Sequence, residues 1–460
     1  MQSSEAKPAR RRLNPHVVRL AIALALVCAG FSIFSDALGR PLWLKPFLTL
    51  IPDRYLYVAD QDVGWGLLDV KYQRSGSAQM PTAQAVNDAA ASQLLAGVTV
   101  EASATPTPTL PAAESSPTPA NVAPTATSTP PPVAPAALKN QAESTAADLS
   151  KATFSLTGFT QVIQTWNNCG PATISIVLSY WGIPADQKDA QQFLKTDPED
   201  RNVRPDELAS YAQSKGLEAL VRVNGSRDGL RRLIRAGFPV IVEKGFEPEG
   251  QRWQGHYLAL AGYRDDNDLF IGEDSYLGLN RAITFATLDK LWWDFNRTYI
   301  VVYPKDREAD VAAAVGADMD TTTNFSNALN TASEDLKSDP HDAFGWFNLG
   351  SSLVGSGRYK DAAVAYDRAR QENTLPFRML WYQFGMYEAY YQTGRYADVI
   401  VLADATIEYG VPYLEESYYY EGLAYAAKGD KASARKYYQL AIQYNGNFAA
   451  AKRALDELGK

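Results

Sequence analysis

Residues 79–149 cannot build a hydrophobic core, and this divides the chain. Within them Thr105–Ala137 reads TPTPTLPAAESSPTPANVAPTATSTPPPVAPAA, rich in proline, threonine, alanine and serine, with almost no charge and no aromatic ring. Such a run has nothing apolar to bury in exchange for the entropy of ordering its backbone. Its prolines favour extended polyproline II geometry, so at roughly 3 Å per residue the span reaches on the order of 100 Å as a semi-rigid stalk. Its threonines are available to carry sugars.

Ahead of the stalk, Lys7, Arg10, Arg11, Arg12 and Arg19 precede the apolar run Leu20–Phe34. Basic residues before an apolar stretch signal export or anchoring with the basic side in the cytoplasm. Residues 1–19 are therefore expected as a basic cytoplasmic tail and residues 20–37 as a transmembrane signal anchor, with everything after it outside. The apolar run is short for a span, and Val17 and Val18 lengthen it if Arg19 snorkels. Ser35-Asp36-Ala37 is a passable cleavage site, which leaves a removed signal peptide as the alternative. Residues 38–78 form a membrane-proximal segment with no assignable chemistry. The net charge of −8 argues against nucleic acid as a partner.

After the stalk the chain is long enough for two further domains. It holds only two cysteines and three histidines. No disulfide framework and no thiolate metal site can be assembled from them. Cys28 lies in the apolar N-terminal run, His16 just before it, and His341 opens a later helical region, so Cys169 and His256 share one central domain alone. The stretch Gln161–Ser175, QVIQTWNNCGPATIS, places Cys169 at a helix start. Asn167 and Asn168 are N-cap types, Pro171 suits a first turn, and Gly182 and Pro184 end the apolar run that follows. At a helix N-terminus the free N–H groups favour thiolate over thiol, as a nucleophile requires. The competing reading is a merely structural cysteine, since free cysteines are among the most buried residues.

Residues 150–305 alternate helix-like and strand-like stretches. Arg204–Gly216 reads as a helix, EALVRV as a strand, and SRDGLRRLIRAG as a short helix capped by Ser226 and ended by Gly237. PVIVEKGF reads as another strand. GHYLALAGY, the turn RDDND and LFIGEDSY form a hairpin with His256 at the start of one strand and Asp274 at the end of the other. Those ends lie side by side in an antiparallel pair, so imidazole and carboxylate meet on one rim. A helix at FATLDKLWWDF and a strand TYIVVY close the domain. Trp166, Trp253, Trp292 and Trp293 are read as core aromatics.

The segments QTWNNCGPAT, GHYLALAGY and EDSYLG resemble the C-39-like cysteine peptidases, papain-like relatives of the peptidases that cleave leader peptides after a double glycine. The resemblance covers about 150 of the 460 residues. It implies an α+β papain-like fold with Cys169 as nucleophile, His256 as its base, and Asp274 orienting the imidazole. It further implies Gln164 as the oxyanion donor beside the Cys169 backbone N–H. The family usually places that glutamine six residues before the cysteine, whereas Gln164 is five before and Gln161 eight before.

Residues 306–340 read as a helical connector and 341–460 as an internal repeat. Trp346, Leu349, Gly350, Gly357, Ala362, Tyr366 and Ala369 are matched 72 positions on by Tyr418, Gly422, Tyr425, Gly429, Ala434, Tyr438 and Ala441. Trp381, Gly385 and Gly394-Arg395-Tyr396 mark a degenerate middle copy. The pattern resembles tetratricopeptide repeats, an all-α stack whose concave face usually binds peptides or proteins. A structural cap on the hydrolase is the alternative.

The chain is thus expected to be a cell-membrane protein with its C-terminal domains outside. Its papain-like cysteine peptidase acts on a peptide or protein without metal or cofactor, and its repeats bind a protein partner. An inactive surface adaptor and a papain-like acyltransferase remain the other readings, because hydrolysis and transfer share one thioester intermediate.

Overall fold

Strand-forming runs of Val, Ile, Leu and Tyr between residues 218 and 303 have only one another to pair with, and they do so antiparallel throughout. The computed structural model describes residues 86, 88–97, 153–184, 186–248, 251–410 and 412–459. All of them fall in one compact unit, Asp62–Lys460. After helix α1 (Asp88–Gly97) come β1 (Thr153–Ser155), α2 (Cys169–Tyr180), α3 (Gln187–Leu194), α4 (Pro205–Ser214), β2 (Glu218–Arg222), α5 (Arg227–Arg235) and β3 (Val240–Phe246). These are followed by β4 (Gln254–Arg264), β5 (Leu269–Asp274), β6 (Gly278–Thr284), α6 (Phe285–Trp293) and β7 (Tyr299–Tyr303). The strand order is β2-β7-β3-β4-β5-β6, with β1 pairing with β4 beyond the end of β3. The domain is therefore α+β, as expected. The small strands β1 and β6 and helix α3 extend what the sequence alone suggests.

Helix α2 is buried on every side. Ala172, Ile174, Ile176, Val177 and Leu178 are all inaccessible, so the cysteine-bearing helix is the centre of the domain core. Ile174, Val177 and Leu178 meet Leu258, Leu260, Ile241 and Val242 of the sheet. Burying each such side chain contributes about 1.5–3 kcal/mol. Ser226 caps α5 by accepting from the Gly229 N–H at 3.1 Å, as its sequence position predicts.

The C-terminal region is entirely helical among the described residues: α7 (Glu308–Val315), α8 (Thr321–Ser338), α9 (Ala343–Gly355), α10 (Tyr359–Glu372), α11 (Gly385–Gln392), α12 (Tyr396–Ala405), α13 (Glu415–Ala427), α14 (Lys431–Tyr444) and α15 (Ala449–Leu458). The 72-residue correspondence has a packing basis. A Cβ on Gly350 would stand 2.8 Å from the Tyr366 ring, and a Cβ on Gly422 would stand 2.6 Å from the Tyr438 ring. Gly357, Gly394 and Gly429 end the first helices of successive pairs with φ of 70, 74 and 82°, where a Cβ is disfavoured.

Two expectations need correction. Residues 79–149 were to be linker throughout, yet Asp88–Gly97 is helical, and Val86, Ala91 and Leu94 are buried against the C-terminal helices. DAAASQLLAG has no proline, and alanine and leucine are strong helix formers, so this segment escapes the average composition around it. Helix α8 belongs with the stack, because Leu329, Ala332 and Leu336 share the core of α9 and α10. The stack thus begins before residue 341. In the middle copy Trp381 lies in a single 3₁₀ turn, Phe377–Trp381, and the helix proper starts only at Gly385.

Among the described residues no helix is long and apolar enough to cross a membrane. The tail at 1–19, the anchor at 20–37, the segment at 38–78 and most of the 79–149 span lie outside the described residues.

Candidate active site

Asn167 takes a left-handed conformation, φ 56°, and this turn lets the helix begin at Cys169. The Asn168 carbonyl accepts the first helical bond, from Ala172 at 2.9 Å. Contrary to the expectation from its residue type, its side chain does not cap the helix but donates to Thr165 Oγ1 and Gln191 Oε1, both at 2.7 Å. The unpaired N–H groups of the first turn are thereby left beside the thiol. Lys195 Nζ holds the Asn167 carbonyl at 2.6 Å from the other side.

His256 and Asp274 are brought together by the register of β4 on β5. Asp274 stands opposite Leu258, two residues along β4 from His256, so both side chains leave the same face as diagonal neighbours. His256 Nε2 lies 3.1 Å from Asp274 Oδ1 and 3.2 Å from Oδ2. The imidazole is also hydrogen-bonded to the Cys169 thiol. Asp274 Oδ1 accepts the backbone N–H groups of Tyr276 at 2.7 Å and Leu277 at 2.9 Å. The same carboxylate therefore closes the β5–β6 turn and fixes the imidazole.

The electrostatics favour an ion pair. Burial pushes the Cys169 thiol up, but the hydrogen bond and charge of His256, the Tyr257 N–H and the charge of Lys195 outweigh it and hold the pKa below the ordinary 9.0. Burial pushes His256 down, and its bonds to Asp274 and Cys169 more than reverse this. For Asp274 burial acts upward, while the His256 bond and charge and the two N–H donors bring it to about 2.

Gln164 joins the same neighbourhood. Its N–H donates to the Ser275 carbonyl at 2.8 Å, and its Oε1 accepts from Ser275 Oγ at 2.9 Å. Engaging the acceptor end leaves the amide N–H groups as the donor end. Trp292 and Trp253 are buried in the cores, as read from the sequence. Trp166 is half-buried and outside both cores, and its Nε1 donates to Glu199 Oε2 at 3.3 Å.

Several neighbours were not foreseen. The Phe246 ring stacks on His256, centroids 4.6 Å apart. Lys244 sits above Phe246, its pKa lowered by burial to about 8. Tyr382 reaches in from the helical region: the Gly255 N–H bonds to its hydroxyl, which lies within electrostatic range of Cys169. Only the glycine preceding His256 hinted at such close approach. A pocket of about 470 Å³ lined by Arg227, Phe270, Phe285 and Trp292 contains none of these residues.

Residues 153–300 match the family model described as the Peptidase_C39 like family. No curated protein matches the chain. The solved structures similar to it include three peptidases. A double glycine motif protease from an AMS/PCAT transporter, solved with its leader peptide, is 18% identical, aligned over 33% of this chain and 94% of its own, with a TM-score of 0.26. A C39-like peptidase from Bacillus anthracis is 14% identical over 34% and 99%, with a TM-score of 0.28. The peptidase domain of Streptococcus ComA, a bifunctional ABC transporter involved in quorum sensing, is 16% identical over 32% and 100%, with a TM-score of 0.26. By its family match, and with its α+β fold, the segment 153–300 is similar to a C39-like peptidase domain.

Proposed function

We propose that the central domain is a cysteine peptidase in which Cys169, His256 and Asp274 act as a triad. The observation that carries this reading is the double engagement of His256, with Nε2 on Asp274 and a further hydrogen bond to Cys169. The thiolate attacks the scissile carbonyl, and the imidazolium gives its proton to the leaving amine. Neutral His256 then takes a proton from water as the water attacks the thioester, and gives it back to sulfur as the acid product leaves. Gln164 and the Cys169 N–H would stabilise the oxyanion. Asp274 keeps the proton on Nε2 and holds the ring.

In this reading the N-terminal segment anchors the protein in the cell membrane and the stalk holds the peptidase outside. The helical region is a tetratricopeptide-type stack that recruits a protein partner. The matched Gly350–Tyr366 and Gly422–Tyr438 contacts support the repeat assignment. The test is labelling of the solubilised full chain with a thiol-directed peptidase probe across pH, beside His256→Ala. Rapid labelling of Cys169 at neutral pH that the substitution abolishes supports the triad. Slow labelling with an ordinary thiol's pH dependence, unchanged in His256→Ala, makes the protein an adaptor. Product analysis with and without an added amine separates hydrolysis from acyl transfer.

A further inference from the structure

The contact between α4 and α13 buries more negative charge than its own cations neutralise. Asp200 and Asn202 come from the loop before α4 and Glu207 from its first turn, while Glu415 and Glu416 open α13. Asp200 is 0%, Asn202 4%, and Glu415 and Glu416 each 2% exposed. Glu207, Glu415 and Glu416 each present a carboxylate oxygen within 4.8 Å of the others.

Three cations stand nearby. Arg204 reaches Glu416 at 3.0 Å, Glu207 at 3.3 Å and Asp206 at 3.1 Å. Lys195 gives hydrogen bonds to the carbonyls of Asn167 and Asp200, at 2.6 and 2.7 Å. Arg201 lies over the rings of Trp166 and Trp381. Asp206 is exposed, so Asp200, Glu207, Glu415 and Glu416 face these three cations, and one negative charge is left over.

A second observation is independent of that balance. Asp200 Oδ2, Asn202 Oδ1, Glu415 Oε2 and Glu416 Oε2 are buried and accept no hydrogen bond among the described residues. Asn202 Nδ2 donates to Glu416 Oε1 at 3.2 Å, so that amide sits on the acidic group. Asp200 is close enough for Glu416 and Glu207 to raise its pKa, after burial and against Lys195. Uncompensated buried carboxylates are costly and take up either protons or a cation.

The converging donors are all carboxylate oxygens, which selects a hard cation over zinc. Calcium accepts six to eight such oxygens in irregular geometry, whereas magnesium demands a strict octahedron and keeps several waters. We infer that Glu207, Glu415 and Glu416, whose carboxylate oxygens converge, bind one calcium ion that ties the helical region to the peptidase-like domain, with water completing its shell. Through Asn202 and Arg204, which bond to Glu416, it also steadies the end of the loop that leads into α4.

This inference does not depend on peptidase activity, and its test reads binding and stability. Terbium, which takes the same oxygen ligands, is titrated into the calcium-stripped full chain, with excitation of the neighbouring tryptophans. The expected result is sensitised luminescence saturating at one ion per chain, displaced by calcium. Thermal unfolding should rise with the logarithm of calcium concentration once the site begins to fill. Glu415→Gln with Glu416→Gln should abolish both signals, and the exposed control Glu334→Gln should change neither. Should the double variant not fold, Glu415→Gln alone is expected to weaken terbium binding at least tenfold. An unfolding temperature indifferent to calcium but rising on mild acidification would overturn the inference, because the acids then hold protons instead. So would terbium binding that survives these substitutions.

Discussion

His256 Nε2 lies 3.1 Å from Asp274 Oδ1, and the contact follows from β-sheet register alone. Because Asp274 pairs with Leu258, a residue two positions from Leu258 on the same face is its diagonal neighbour, and that residue is His256. Sliding β5 by one position would turn the carboxylate to the opposite face and leave the imidazole without it.

Asp274→Asn tests what the contact does. The amide oxygen can still accept the Tyr276 and Leu277 N–H groups, so the β5–β6 turn should survive. The negative charge that raises His256 is gone, so the alkaline limb of the kcat/KM profile should move towards acid. The rate should fall by about 10²–10⁴-fold, the worth of a correctly placed general acid and base. A pH profile measured beside wild type checks this, and an unchanged limb would show that Asp274 does not tune the imidazole.

The thiol and the imidazole set the pH range of reactivity. Cys169 is shifted below the ordinary 9.0 by its bond to His256 and by nearby charge against burial, and His256 above 6.5 by its bonds to Asp274 and Cys169, so both shifts favour the thiolate–imidazolium pair. Labelling of Cys169 should therefore reach half its maximal rate at a lower pH than an ordinary thiol does. In His256→Ala the half-maximal rate should move to the alkaline side of its wild-type position. Both limbs belong to the coupled pair rather than to either residue.

Much of this was legible in the sequence because the signals are local. A helix start needs cap types, a proline in the first turn and an apolar run, and the Cys169 stretch has all three. A hairpin of two alternating runs about one polar turn puts its outer ends together, which is why His256 and Asp274 could be paired. What was not legible depends on contacts across the chain. Nothing near Trp381 or Tyr382 says that this turn packs against the residue before His256. The helix Asp88–Gly97 is hidden by the proline-rich average around it and is held by Val86, Ala91 and Leu94 packing on helices nearly 300 positions later. The acidic cluster is invisible for the same reason, since Asp200 and Glu415 are 215 positions apart.

Asp274 also links stability to acidity. Its carboxyl is held at about 2 against an ordinary 3.8. A depressed pKa means the folded state prefers the ionised form, so the stabilisation is fully present above the unfolded value and is lost as pH falls through the folded one. The difference is worth roughly 2 kcal/mol, disappearing between about pH 4 and pH 2. Urea unfolding at pH 7 and pH 3 should show a smaller loss in Asp274→Asn than in wild type. Equal losses would assign the acid sensitivity to other carboxylates.

Gly255→Ala tests whether the helical region supports the candidate site. A Cβ at this position would stand 2.9 Å from Phe295 Cζ and 3.0 Å from Tyr382 Cδ1 and Cε1, all rigid ring atoms. Either Tyr382 retreats, carrying its turn away from the Gly255 N–H, or β4 shifts at the residue next to His256. Both disturb the imidazole. A stability loss of about 1–3 kcal/mol is expected, together with slower probe labelling of Cys169. Gly422→Ala supplies the comparison, since its Cβ would meet the Tyr438 ring at 2.6 Å within the α13–α14 pair. That substitution should cost similar stability while leaving the labelling rate near wild type. Equal slowing in both would mean that global loosening, not the Tyr382 contact, governs the thiol. Slowing in Gly255→Ala alone makes the helical region part of the machinery that holds His256 in place.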